Sequence, residues 1–332
     1  MERFLKVLAL TALMTAGVTC LKPGPPPEGP FELENSIQTP GYAEGFIADS
    51  TYLYVASGEA GLTVIDISNL PDLEIAGRWD GVPPSDDYSF RVHKFTNDTL
   101  HRVYLANGDG NLKIIDVSVP DTPRFIMDGF WARNCEDVRG FQRADTQFIL
   151  IARRDWGVAL VQVGSDGNLM QRGGWVLVPG FTRGIAYSDS MLFVASGQDG
   201  VYVFDMSDVD HPSPITNYNT PGNARKVFPD LPYVYVADWH GGLIVLKLEN
   251  DTLKFLAQRE VDGVAKDVAV KDGYCFVASG NGGLEIFDVS DPSNPVFVQQ
   301  IDDIGNALSV GFVKNYVTVG TRLGIYLISE KG

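Results

Sequence analysis

The stretch Tyr274-Cys-Phe-Val-Ala-Ser-Gly-Asn-Gly-Gly-Leu-Glu-Ile-Phe-Asp-Val-Ser-Asp-Pro292 decides the fold. Tyr274 to Ala278 has the β-branched and aromatic composition of a strand, and a glycine-rich tight turn carries it into a second strand, Leu284 to Val289. Ser-Asp-Pro then turns the chain into Pro295 to Ile301, and a shorter strand, Val264 to Val270, precedes the whole unit. The pattern recurs at Tyr52 to Ser68 and in stretches beginning at Val103, Phe148, Leu192, Val234 and, with decay, Tyr316. The register residue is Ala56, Ala106, Ala152, Ala195, Ala237, Ala278 and then Gly320, at spacings of 50, 46, 43, 42, 41 and 42. A period of this size suits the four-stranded blade of a propeller.

The last copy stops after its third strand, at Ile328, and the missing strand lies at the other end of the chain. Pro30-Phe-Glu-Leu-Glu-Asn-Ser-Ile-Gln-Thr-Pro-Gly-Tyr-Ala43 aligns with Pro214-Ile-Thr-Asn-Tyr-Asn-Thr-Pro-Gly-Asn-Ala224. Phe31 to Gln38 is therefore expected to complete the seventh blade, which closes the ring and argues against an open solenoid. The reading is all-β: a seven-bladed β-propeller over residues 31–332, with four antiparallel strands per blade.

Residues 1–19 read as an export signal. Arg3 and Lys6 precede an apolar run from Val7 to Val18, shorter than the roughly 18 residues a spanning helix needs. Gly17-Val18-Thr19-Cys20 resembles a bacterial lipoprotein signal, although such signals usually have Leu where Gly17 stands and a smaller residue where Thr19 stands. The resemblance implies a lipid on Cys20. Residues 20–30 are proline-rich, a stiff tether that at about 3.1 Å per residue reaches roughly 30 Å. Localisation at the cell envelope or surface is expected, or secretion if Cys20 is unmodified. A net charge of −16 disfavours nucleic acid and anionic lipid as partners. Membrane contact is then expected only through Cys20, and the ring itself is expected to be a monomer.

Leu62-Thr-Val-Ile-Asp66, Leu112-Lys-Ile-Ile-Asp116, Val201-Tyr-Val-Phe-Asp205 and Leu284-Glu-Ile-Phe-Asp288 resemble the LVIVD repeat. The resemblance implies a secreted or surface-attached bacterial or archaeal propeller and says almost nothing of activity. Gln162, Lys247 and Ser329 replace the aspartate in three copies. The aspartate is therefore expected to be a turn residue that accepts backbone N–H groups, not a shared ligand.

Candidate chemistry is read against the repeat. Cys135 and Cys275 align with small or apolar residues in blades three and six, nearly opposite each other, and are expected as unbridged core residues. His93, His101, His211 and His240 show no metal-ligand spacing; isolated surface or loop positions are expected, with His93 close enough to approach the channel. No metal or other cofactor is expected. The strands that line the channel carry Glu44, Arg91, Glu136, Asp137, Arg183, Arg225, Lys226, Lys266 and Asp267. Of these, Glu44, Arg91, Asp137, Arg183, Lys226 and Asp267 are the channel-lining candidates. They either pair across blades or hold a charged ligand or metal.

The turns between second and third strands supply a second candidate surface. Most are plain, such as Ser196-Gly-Gln-Asp-Gly200, but blade three has Arg153, Arg154 and Trp156, and blade five has Trp239 and His240. Trp131 adds a ring from a neighbouring loop. Exposed Trp beside Arg suits contact with a protein or a glycan. The favoured reading is a non-enzymatic binding module at the envelope whose Trp-bearing rim faces away from the membrane, with no catalytic residue assigned. The alternatives are a channel-centred, metal-dependent hydrolase of lactonase or esterase type, disfavoured by the interleaved Arg and Lys, and a scaffold for envelope proteins.

Overall fold

The computed structural model describes residues 29–81, 88–94, 101–108, 110–129, 134–165, 167–171 and 175–331. The expected signal, Cys20, most of the tether and Trp131 lie outside the described residues. Within them the chain forms seven antiparallel sheets of four strands each, a seven-bladed β-propeller.

The innermost strands are Gly45–Ala48, Arg91–Lys94, Asp137–Arg143, Gly184–Ser188, Lys226–Asp230, Asp267–Lys271 and Ala307–Val313. Each packs on the next, and Ala307–Val313 packs on Gly45–Ala48, so the ring is closed. The second and third strands pair in a constant register, Tyr52 opposite Asp66, Arg102 opposite Asp116, Met191 opposite Asp205 and Tyr274 opposite Asp288. The alanines that mark the repeat, Ala56 through Ala278, are 0% exposed. Apolar clusters fill the space between blades: Tyr54 and Val64 of blade one pack on Val92, Val103 and Ile115 of blade two.

The seventh blade is completed as the repeat predicts. Phe31–Gln38 pairs with Gly324–Glu330 at the outer edge of the sheet. The outer strands of blades one, two, four, five and six each carry a one-residue bulge, at Ala76, Ile126, Ile215, Leu256 and Val298. The borrowed strand carries the same bulge at Glu34. A bulge adds local twist, so the N-terminal strand reproduces the curvature of its siblings as well as their pairing.

The recurring aspartates sit at turns. Asp66, Asp116, Asp205 and Asp288 accept the N–H of Ser68, Ser118, Ser207 and Ser290 at 2.8, 2.9, 2.7 and 2.8 Å. These bonds help hold all four carboxyls below their ordinary range. Cys135 and Cys275 are free and buried, and burial pushes both thiols up. His93 departs from the expected loop or surface position. It lies buried in the innermost strand of blade two, where burial and the Arg139 charge push it down to about 3.

Candidate functional site

One rim of the propeller is stitched by the turns between second and third strands. Gly58, Gly108, Arg154, Gly197, Trp239 and Gly280 each pair with the residue that leads into the next blade: Ser89, Cys135, Thr182, Ala224, Ala265 and Ala307. At the seventh joint the Ala43 N–H donates to the Thr321 carbonyl at 2.9 Å. All six stitching residues have positive φ, including Arg154 at 26° and Trp239 at 55°. Glycine meets this conformation without strain, whereas a residue with a Cβ is disfavoured by about 1–2 kcal/mol. Blades three and five therefore hold a large side chain where four siblings hold glycine.

The residue after each joint turns toward the channel mouth. Glu44, Phe90, Glu136, Arg183, Arg225, Lys266 and Leu308, one from every blade, line a recess of 240 Å³ together with Arg91, Arg154, Lys226 and Trp239. Cations outnumber carboxylates here, although the chain as a whole is acidic. Glu136 accepts Arg154 at 2.6 Å and Arg183 at 3.4 Å. Arg183 also lies over Phe181, 5.6 Å from the ring centroid. Glu44 accepts the Tyr88 hydroxyl at 2.6 Å. The Arg225 guanidinium stacks on Trp239 at 4.1 Å, while the Lys266 ammonium lies 5.9 Å from the same ring and donates to Asn306 at 3.1 Å. The Nε atoms of Arg183 and Arg225 are buried without a hydrogen-bond partner. Burial, with Arg183 alongside, pushes Arg225 down to about 10, and burial also lowers Lys266. Partly buried cations with open donors favour an anion, since charge-assisted bonds are the strongest that such donors form.

Below the mouth the charges pair across the channel. Lys226 of blade five donates to Asp137 of blade three, which also accepts the Ile185 N–H of blade four at 2.9 Å. Arg91 of blade two reaches Asp267 of blade six at 3.3 Å, and Asp267 accepts the Val310 N–H of blade seven at 3.4 Å. Burial opposes ionisation of Asp137, but Lys226, Arg139 and Arg91 outweigh it and hold the carboxyl low. These carboxylates, on which a hydrolase would depend to hold a metal, are engaged by cations and backbone. Among the described residues no cluster of three or more metal-ligating side chains occurs.

The structure thus brings Arg154, Trp239, Arg183 and Glu44 to one mouth and sets Arg91, Asp137, Lys226 and Asp267 as a waist beneath it. Arg153 sits apart, stacked over Trp175 at 4.4 Å and near Trp156 at 5.9 Å. Trp156 is 60% exposed, and His240 is exposed with its ring edge-on to Trp239. Four charged contributors are not among the sequence-derived site candidates: Glu136, Arg225 and Lys266 at the mouth, and Arg139 beneath it. Arg225 was recognisable as a charge on a channel strand, but its stack on Trp239 was not. Arg139 follows Asp137 by two residues, on the same face of its strand, and that parity was the available signal.

No curated protein matches the chain. Among solved structures, a crystal structure of the computationally designed Ika8 protein superposes with a TM-score of 0.62 at 10% identity, covering 89% of this chain and 98% of that one. Its likeness is one of fold alone. A model of the LVIVD repeat matches residues 40–80, 103–127, 179–220, 221–250 and 262–303, which fall on blades one, two, four, five and six. Blade three, with Arg153, Arg154 and Trp156, carries no match. Because the matched segments make up more than half of the chain and coincide with blades of one closed ring, the chain belongs to the LVIVD-repeat family.

Proposed function

We propose that the chain is an exported, lipid-tethered propeller acting as a non-enzymatic binding module, and that it takes a carboxylate-bearing protein or glycan at the Trp-bearing mouth. One observation carries this reading: Arg154 and Trp239 occupy left-handed positions that sibling blades give to glycine. Strained backbone persists where something else selects for the side chain it holds. Both side chains project into the cationic recess. The Trp239–Arg225 stack offers an aromatic face and a guanidinium together, and the exposed Trp156, Trp175, Leu177 and Phe181 extend an apolar surface on the neighbouring blades. An acidic partner would meet this mouth with complementary charge while the acidic remainder of the surface repels it.

The reading is tested by binding of acidic peptides and acidic oligosaccharides to the purified chain and to its Trp239→Gly and Arg225→Gln variants. Loss of binding in both variants supports it; binding that ignores both overturns it. The tether is tested separately: labelled fatty acid should enter the chain in cells and fail to enter a Cys20→Ser variant. Anchored at Cys20, the mouth would face away from the membrane, because the first strand of the ring runs toward that rim.

A further inference from the structure

The waist divides the channel into two chambers. Arg91 and Lys226 line both the recess described above and a larger cavity of 490 Å³ at the opposite end. The walls of this second chamber differ in kind. They come from the downstream ends of the innermost strands and present Phe46, Ile47, Tyr187, Phe228 and Phe312. Its inner end is polar, formed by the waist and by Arg139.

Arg139 is the informative residue. Asp137 is engaged by Lys226 and by the Ile185 N–H, and Asp267 by Arg91 and the Val310 N–H. Each waist carboxylate thus has its own cation, and Arg139 is left over: none of the described carboxylates lies within ion-pair distance of it. The neighbouring His93 is kept neutral by burial and adds no charge of its own. The chamber therefore holds one cation in excess at the waist end of an aromatic-lined pocket. Its volume lies within the roughly 300–1,000 Å³ of small-molecule sites, which combine apolar walls with a few orienting polar groups.

We propose that this chamber binds a small organic anion with an apolar body, an aromatic or short aliphatic carboxylate. Its carboxylate pairs with Arg139 at the waist and its body lies among Phe46, Tyr187, Phe228 and Phe312. The site is independent of the Trp-bearing mouth, and a ligand in it needs no contact with Trp239 or Arg225.

Calorimetric titration of the full chain with phenylpropionate, and with its neutral amide, tests the assignment. The carboxylate should bind once per chain, and the amide about tenfold or more weaker. Arg139→Gln should weaken the carboxylate by a similar factor while leaving the melting temperature in place. Arg225→Gln, at the other mouth, should leave phenylpropionate affinity unchanged. Absence of binding at millimolar probe, equal affinity for acid and amide, or loss on Arg225→Gln instead of Arg139→Gln would each overturn it. If Arg139→Gln does not fold, the comparison of acid with amide on the unaltered chain still decides.

Discussion

The Arg225 guanidinium lies over the Trp239 ring, 4.1 Å from its centroid, and Trp239 holds that place with a left-handed backbone at φ 55°. Trp239→Gly restores the residue that Gly58, Gly108, Gly197 and Gly280 provide at the same joint. Relief of strain is worth about 1–2 kcal/mol, and the lost stack about 0.5–2 kcal/mol. The terms nearly cancel. Thermal denaturation should therefore show little change, while affinity for an acidic ligand falls about tenfold or more. A variant that unfolds, or that binds normally, contradicts the role assigned to Trp239.

The closing strand makes a sharper prediction about stability. Phe31 is 4% exposed and packs edge-on against Tyr274 at 5.2 Å and Phe276 at 5.4 Å. Its N–H donates to Gln299 of blade six at 2.9 Å, and the same side-chain amide donates back to the Phe31 carbonyl at 2.8 Å. Phe31→Ala should cost about 3–5 kcal/mol, measured by chemical denaturation. Removing residues 31–38 altogether should abolish the single cooperative transition, since blade seven loses its outer strand. A chain that merely frayed on this deletion would behave as an open array.

The waist predicts a non-additive pair. Asp137→Ala leaves the buried Lys226 ammonium without its counter-ion and should cost about 3–5 kcal/mol. Adding Lys226→Met removes the stranded charge and should recover most of that loss. About 1–3 kcal/mol should remain, because the Ile185 N–H keeps no acceptor. A double-mutant cycle from denaturation midpoints measures the coupling. Simple addition of the two single losses would show that the pair does not act as a unit.

The ring was legible in the sequence because six blades repeat the same small buried alanine at the head of a tight turn, and the seventh has Gly320 in its place. Phe31–Gln38 was legible because Pro40-Gly41-Tyr42-Ala43 repeats Pro221-Gly222-Asn223-Ala224. Arg154 and Trp239 stood out because their siblings are glycines, although the left-handed φ that gives the contrast its meaning is visible only in the fold. The partners of the channel charges were not legible. Asp137 and Lys226 lie two blades apart, and their meeting depends on how far side chains reach across the channel. Sign alone suggested pairing without saying which cation would be left over. The burial of His93 was not legible for a related reason: a single imidazole in a short strand looks the same whether that strand faces water or a packed neighbour.

His93 makes the acid side of the stability curve predictable. Its ordinary value is 6.5, and burial with the nearby Arg139 charge pushes the folded value down to about 3. Between these limits the unfolded chain binds one more proton at this site than the folded chain does. Stability therefore falls as pH drops from 6.5 toward 3, by at most about 1.4 kcal/mol per pH unit. Well above 6.5 the imidazole is neutral in both states and contributes no slope. The turn aspartates act in a lower window, because carboxyls held below their ordinary 3.8 lose their contribution only as pH falls past that value. The interval from 6.5 down to 3.8 is thus where His93 separates from them. His93→Phe fills similar space and cannot take a proton. Its melting temperature should decline less steeply than that of the native chain across this interval, and the two should run parallel above it. Parallel profiles throughout would mean that His93 protonates in the folded ring.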